Sequence, residues 1–224
     1  MNGEGMRLCG ILLAGGQSRR MGGGDKCLRA LAGKTVLARI IGRIGPQVDT
    51  LVLNANGDTA RFAEYGLRVI PDAIGDFAGP LAGVLTGMEW ASQHGHPTNG
   101  PDKGGEVTVD SGYTHILTVP TDAPFLPTDL VERLAAPIQA GEADMTCAMS
   151  DGRTHPVVGI WPISLAGDLR RAMVDEDIRK VDRWTARHRL AEVPFGTEPF
   201  DPFFNMNRPE DAQQAAEYAA LVDR

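Results

Sequence analysis

The chain has little cysteine, no long apolar run and no excess of positive charge, and each shortage removes a class of function. Its three cysteines, Cys9, Cys27 and Cys147, are odd in number, far apart and without a Cys-x-x-Cys spacing, which suggests neither a disulfide framework nor a zinc site. Thiols of this kind are kept reduced, so a cytoplasmic location is expected. The apolar stretch at 9–14 is too short for a membrane span or a signal-peptide core, and Arg7 is the only basic residue ahead of it. A soluble protein with no membrane partner is expected. Lys and Arg total 22 against 29 Asp and Glu, a net charge of -7, which argues against a general nucleic-acid surface. The basic residues gather near the first loop and at 170–189, as suits a selective anion pocket in an acidic protein.

What is present is glycine, 27 residues of it, in a chain of 224. That length fits one large domain, 1–224, burying roughly 70% of its unfolded surface. Short aliphatic runs alternate with helical periodicity, the pattern of an α/β fold with helices on both faces of a parallel sheet. Strands are expected at 8–13, 50–54, 68–70, 114–119, 144–149 and 156–161. Helices are expected at 36–44, 80–92, 127–138, 164–174 and 209–222, three of them opening on Pro80, Pro127 and Pro209. The Gly- and Pro-rich segment at about 94–112 has no period and reads as a surface insertion. His94 and His96 lie in or beside it and read as solvated rather than as metal ligands.

The first strand empties into Ala14-Gly15-Gly16-Gln17-Ser18-Arg19-Arg20-Met21-Gly22-Gly23-Gly24-Asp25-Lys26. Gly15 and Gly16 carry no Cβ, so successive backbone N–H groups there can converge on phosphate oxygens. Arg19, Arg20 and Lys26 supply the charge that a polyphosphate needs. The loop is not a P-loop, because Leu28 stands where Gly33-Lys34-Thr35 requires the first glycine. A dinucleotide fingerprint fails at Gln17.

In open sheets, ligands sit beyond the carboxyl ends of the strands, which draws attention to polar residues at those ends. Asp122 closes the run from Tyr113 and is the favoured ligand for a hard divalent ion, with helix capping as the alternative. Asp72 ends the run from Leu67 in an equivalent position, and Asp76 follows in a looser loop. Gly79-Pro80-Leu81-Ala82-Gly83 opens a helix with small residues that let backbone approach an anionic ligand. Asn54 and Asn56 are placed either to read a purine edge or to form a turn. Asn205 and Asn207 stand beside the last helix start, where one of them has capping as an alternative role. His155 begins a strand, with a solvated loop side chain as the other reading.

Taken in order, the first loop, Gly79-Pro80-Leu81-Ala82-Gly83, Thr121-Asp122-x-Pro124-x-x-Pro127, His155-Pro156 and Asn205-x-Asn207-x-Pro209-Glu210-Asp211 resemble the molybdenum cofactor guanylyltransferase family. Thr121 departs from the cysteine usual before the aspartate. The resemblance implies a Rossmann-like three-layer sandwich with a mostly parallel central sheet, joining GTP to molybdopterin with Mg2+ and releasing pyrophosphate. It implies GTP contacts at Leu13, Ala14, Gly15, Lys26, Asn54, Asp72 and Asp122, with Asp122 also on the metal. Gly16 joins the phosphate cradle, Arg20, Lys26 and Asp122 are the expected catalytic residues, and Asn205 and Asn207 the expected acceptor contacts. Leu-Ala-Gly-Gly at 13–16, with the Gly-Pro-Leu segment, favours guanylyl over cytidylyl transfer. The open alternatives are a cytidylyl relative, a sugar, polyol or lactyl phosphate nucleotidyltransferase, or a module that binds a nucleotide without transferring it. A monomer or weak oligomer is expected, with the 94–112 insertion reserved for transient contact with proteins that carry or accept molybdopterin.

Overall fold

A computed structural model describes residues 5–14, 25–75, 79–94, 112–208 and 210–223. The chain runs through β1 (Leu8–Leu13), β2 (Ala30–Leu31), β3 (Lys34–Thr35), α1 (Val36–Ile44), β4 (Thr50–Asn54), β5 (Arg68–Ile70) and α2 (Pro80–Gln93). It continues through β6 (His115–Pro120), α3 (Leu130–Gln139), β7 (Met145–Ser150), β8 (Arg153–Pro162), α4 (Ala166–Val174), α5 (Val181–Thr185), β9 (Leu190–Phe195) and α6 (Asp211–Val222). A seven-stranded sheet has the order β5-β4-β1-β6-β8-β7-β9, and β2 and β3 form a separate small ribbon.

Alternation along β1 sorts the two faces of the sheet. Leu8 and Leu12 join Val36, Leu37 and Ile40 of α1, Leu130 and Leu134 of α3 and Ala215 and Ala219 of α6 in one core. Cys9 and Ile11 join Leu81, Leu85 and Met88 of α2, Leu169 of α4 and Trp184 of α5 in the other. The result is the expected three-layer α/β sandwich. No described helix is long and apolar enough to cross a membrane.

The ends of β1, β4, β5 and α1 fall where periodicity places them, while the second half of the chain needs correction. In the seven-stranded sheet, β8 runs against its neighbours: it pairs antiparallel with both β6 and β7, whereas β1, β4, β5 and β6 pair in parallel, as do β7 and β9. Asp151 and Gly152, with φ of 46° and 69°, form the two-residue turn that reverses the chain there, and Asp-Gly is a strong sequence signal for such a hairpin. Helix α3 begins at Leu130, after Pro127, and α6 at Asp211; Pro209 lies outside the described residues. Strand β9 and helix α5 were not foreseen, because 190–195 mixes Glu192 and Pro194 into its apolar run. Apart from His94 and Gly112, the 94–112 insertion lies outside the described residues. His94 stacks on Trp90 with centroids 4.3 Å apart.

Small residues let α2 lie close to the sheet. A Cβ on Gly83 would stand 2.6 Å from Leu13 Cδ2 and 2.7 Å from Asn54 Oδ1, and one on Gly87 2.6 Å from Ile11 Cγ1. Gly83 in the Gly-Pro-Leu-Ala-Gly segment thus seats the helix behind the tips of β1 and β4, rather than clearing space for a ligand.

Candidate active site

The carboxyl ends of four neighbouring strands come level with one another. Leu13 of β1 pairs with Asn54 of β4 and with Pro120 of β6, and Asn54 pairs with Ile70 of β5. Ala14 donates its backbone N–H to Asn54 O at 2.9 Å, and Thr121 Oγ1 donates to Leu13 O at 3.2 Å. The chain therefore leaves β1 between the two strand tips that carry Asn54 and Asp122. Gly15, Gly16, Arg19 and Arg20 lie outside the described residues.

Lys26 reappears at the start of a single 3-10 turn, Lys26–Leu28. Its Nζ donates to Asn207 Oδ1 at 3.2 Å, which closes one side of the site with the loop before α6. The neighbouring Asp25 is taken up in an ion pair with Arg61, and Arg61 Nη2 also donates to Asn56 O at 2.9 Å. Among the described residues, Lys26 is the cation whose charge acts on Asp122. Cys27 is buried at 4% exposure, and burial with the Asp25 charge pushes its thiol up to about 11, away from the thiolate form that a nucleophile needs.

Asp122 is the centre of the site. Its backbone O accepts the Met206 N–H at 2.9 Å, fixing the loop that carries Asn205 and Asn207 against the end of β6. Its Oδ1 is buried and has no hydrogen-bond partner among the described residues. Burial pushes the carboxyl above the usual carboxylate range, and the Lys26 charge pulls it back. A buried, unpaired carboxylate oxygen is costly, and a hard cation is the group that relieves that cost while leaving positions for phosphate oxygens. The donor set fits magnesium or manganese in this sense. No cluster of three or more His, Cys, Asp or Glu occurs among the described residues.

Asp72 at the end of β5 is treated differently. Asn54 Nδ2 donates to its Oδ1 at 2.9 Å and Asn56 Nδ2 to its Oδ2 at 2.7 Å, while Asp72 N donates to Asn56 Oδ1 at 2.9 Å. Asn54 Nδ2 also donates to Ile70 O at 3.2 Å, so both protons of that buried amide are used within the protein. Asn54 therefore orders Asp72, and of the two amides the exposed Asn56 is the one with an amide proton that has no partner among the described residues. Neither Asn205 nor Asn207 caps α6. Asp211 Oδ2 instead accepts the N–H groups of Asn207 and Arg208, each at 2.7 Å.

His155 sits at the end of β8 nearest the carboxyl end of β6. Its Nε2 is 2.7 Å from Ser150 Oγ, and Ser150 in turn contacts Asp201. Burial lowers its pKa, the Asp201 charge opposing and Arg153 assisting. Arg61, Ser150 and Asp201 escaped the sequence reading, because each acts through a partner at least five residues away in the chain.

Comparison with known proteins supplies the family. Residues 10–192 match the model of the MobA-like NTP transferase domain. The chain belongs to the MobA-like NTP transferase family. A protein from Bradyrhizobium sp. (strain ORS 278), named molybdenum cofactor guanylyltransferase, is 51% identical over 96% of this chain and 94% of its own length. One of the same name from Rhodopseudomonas palustris (strain BisB5) is also 51% identical, over 95% of this chain and 94% of that protein. Among solved structures of the fold, molybdopterin-guanine dinucleotide biosynthesis protein A from Archaeoglobus fulgidus superposes with a TM-score of 0.68 at 21% identity, covering 96% of this chain and all of that one. A Mycobacterium tuberculosis protein solved in complex with manganese superposes with a TM-score of 0.63 at 18% identity over 95% of this chain and 99% of its own. MobA-like NTP transferases thus share both the sandwich and, in the relatives of high identity, nearly the full length of this chain.

Proposed function

We propose that this chain transfers GMP from GTP to molybdopterin, forming the guanine dinucleotide cofactor and releasing pyrophosphate. The observation that carries this reading is the buried Oδ1 of Asp122, without a partner among the described residues, in the field of the Lys26 charge at the mouth of the sheet. The names of relatives 51% identical over nearly the whole chain support the choice of guanine and pterin.

The terminal phosphate of the acceptor is largely ionised at neutral pH, its second pKa being about 6. Its oxygen attacks the α-phosphorus of GTP as the bond to the β-phosphate oxygen breaks, so no side chain has to remove a proton. What the protein must do is hold the groups in line and compensate charge. Leu13, Ala14, Gly15 and Gly16 offer backbone to the triphosphate, and Lys26 and Arg20 stabilise the charge that grows toward pyrophosphate. Asp72, ordered by Asn54 and Asn56, borders the nucleoside, and Asn205 and Asn207 border the acceptor. Asp122 would hold Mg2+, which supplies Lewis-acid neutralisation of the phosphate oxygens when bound. Manganese in the Mycobacterium tuberculosis neighbour is consistent with a divalent ion in this fold. The same reading takes the chain as a single domain acting in the cytoplasm as a monomer or weak oligomer.

The test is pyrophosphate release from each of GTP, CTP, UTP and ATP with Mg2+ and molybdopterin. Release with GTP alone is expected. Release with CTP instead would make the chain a cytidylyl enzyme, and nucleotide binding without release under any acceptor would make it a binding module.

A further inference from the structure

The β7–β8 hairpin carries a polar cluster that phosphoryl chemistry leaves unused. Ser150 Oγ lies 2.7 Å from His155 Nε2 and 3.0 and 3.1 Å from the two oxygens of Asp201, and Ser150 is only 2% exposed. A hydroxyl has one proton and a carboxylate has none to give. Ser150 Oγ–H therefore donates to Asp201, and the contact with His155 is satisfied when Nε2–H donates to Oγ. This assigns the tautomer, since a neutral ring protonated on Nε2 has a bare Nδ1 that accepts. The serine sits between histidine and carboxylate, the wrong order for a nucleophilic triad, in which the histidine stands in the middle.

The ring is held from further sides. Phe203 stacks on it with centroids 4.5 Å apart and planes at 27°, and Phe203 N donates to Asp201 at 2.9 Å. Nδ1 has no partner among the described residues and is not among the enclosed unpartnered atoms. It is an oriented acceptor that the interior does not fully enclose.

Topology says which substrate it meets. Asp122 follows β6, in the middle of the sheet. The strands carrying Leu13, Asn54 and Asp72 lie to one side, and β8 and β7, with His155 and Ser150, lie to the other. Phe203 is three residues from Met206, whose N–H is bonded to Asp122, and three residues span at most about 10 Å. A fused-ring pterin with a phosphate arm bridges such a distance, and its pyrimidine edge presents N–H donors that need an acceptor.

We propose that His155 Nδ1 accepts a ring N–H of the pterin, seating it on the β8 side of Asp122 with its phosphate toward Lys26. This rests on the reading of the acceptor as molybdopterin. Asn and Gln substitutions separate the two ring nitrogens. Asn places an oxygen where Nδ1 stood, and Gln places an N–H where Nε2 stood.

The experiment measures molybdopterin affinity by anaerobic equilibrium dialysis without GTP, GTP affinity in parallel, and pyrophosphate release separately, for wild type, His155→Gln and His155→Asn. Gln at 155 is expected to weaken molybdopterin binding about tenfold, the worth of one hydrogen bond, with GTP affinity unchanged. Asn at 155 is expected to stay within about threefold of wild type, with a lower melting temperature because Ser150 loses its donor. Wild-type molybdopterin affinity in His155→Gln, or equal losses in both variants, would overturn the assignment of Nδ1. Absence of molybdopterin binding by the wild type would overturn it as well. If wild type binds molybdopterin, but GTP yields no pyrophosphate, guanylyl transfer fails while the histidine assignment is judged by the dialysis alone.

Discussion

Two aspartates end neighbouring regions of the same sheet edge, and the protein treats them in opposite ways. Asp72 has both oxygens bonded by amides, from Asn54 and Asn56. Asp122 has a buried oxygen with no partner among the described residues. A satisfied carboxylate is a fixed acceptor that shapes a surface, whereas an unsatisfied one in a low-dielectric setting is held at a cost that an incoming cation repays. Position on a strand end is thus shared by both, and it is the supply of donors from neighbouring residues that separates a carboxylate with both oxygens bonded from one with a buried oxygen left over.

The contrast is broken most severely at Asp122. Replacing it by Asn should lower turnover at saturating Mg2+ by roughly 10³-fold, the scale of several kcal/mol of charge stabilisation. The same variant should melt no lower than wild type in the absence of metal, since an uncompensated buried charge is removed. Normal turnover in Asp122→Asn would remove the carboxylate from the chemistry.

Lys26 sharpens the comparison, because its charge acts on Asp122. Lys26→Ala should reduce kcat roughly 10²-fold, the loss expected of one charge-stabilising donor, while the ratio of kcat/KM for GTP over CTP stays unchanged. A collapse of base selectivity with kcat preserved would move Lys26 away from the phosphates.

The smallest effect belongs to Asp72. Asp72→Asn sets an amide N–H2 group against donors, leaving a half-buried amide unmatched, and should cost about 1–3 kcal/mol in urea unfolding. GTP KM should rise while kcat falls far less than in Asp122→Asn. Equal losses of kcat in the two variants would erase the distinction between the carboxylates.

Much of the strand framework around this candidate site was legible in the sequence. Strand-end positions of Leu13, Asn54, Asp72 and Asp122 follow from where aliphatic alternation stops, and Lys26 follows from a glycine loop that ends in cations. Pairing was not legible. Nothing in the local pattern says that Asn54 spends both amide protons inside the protein, that Arg61 neutralises Asp25, or that Gly83 is small to admit Leu13 and Asn54. The Asp151-Gly152 turn was a readable signal for the β7–β8 hairpin, and it was outweighed by the regular alternation of strand and helix around it.

By itself, then, the order of residues determined the α/β alternation, the two apolar faces of β1 and the polar residues at the strand tips. All of these depend on spacing along a few residues, through side-chain alternation in strands and the turn of a helix. Tertiary structure alone decided the reversal of β8, the addition of β9, the burial of one Asp122 oxygen without a partner among the described residues and the chain of contacts from Asp201 through Ser150 to His155. Those depend on which distant groups arrive within hydrogen-bonding distance, and a donor from another strand is invisible until the sheet has assembled around it.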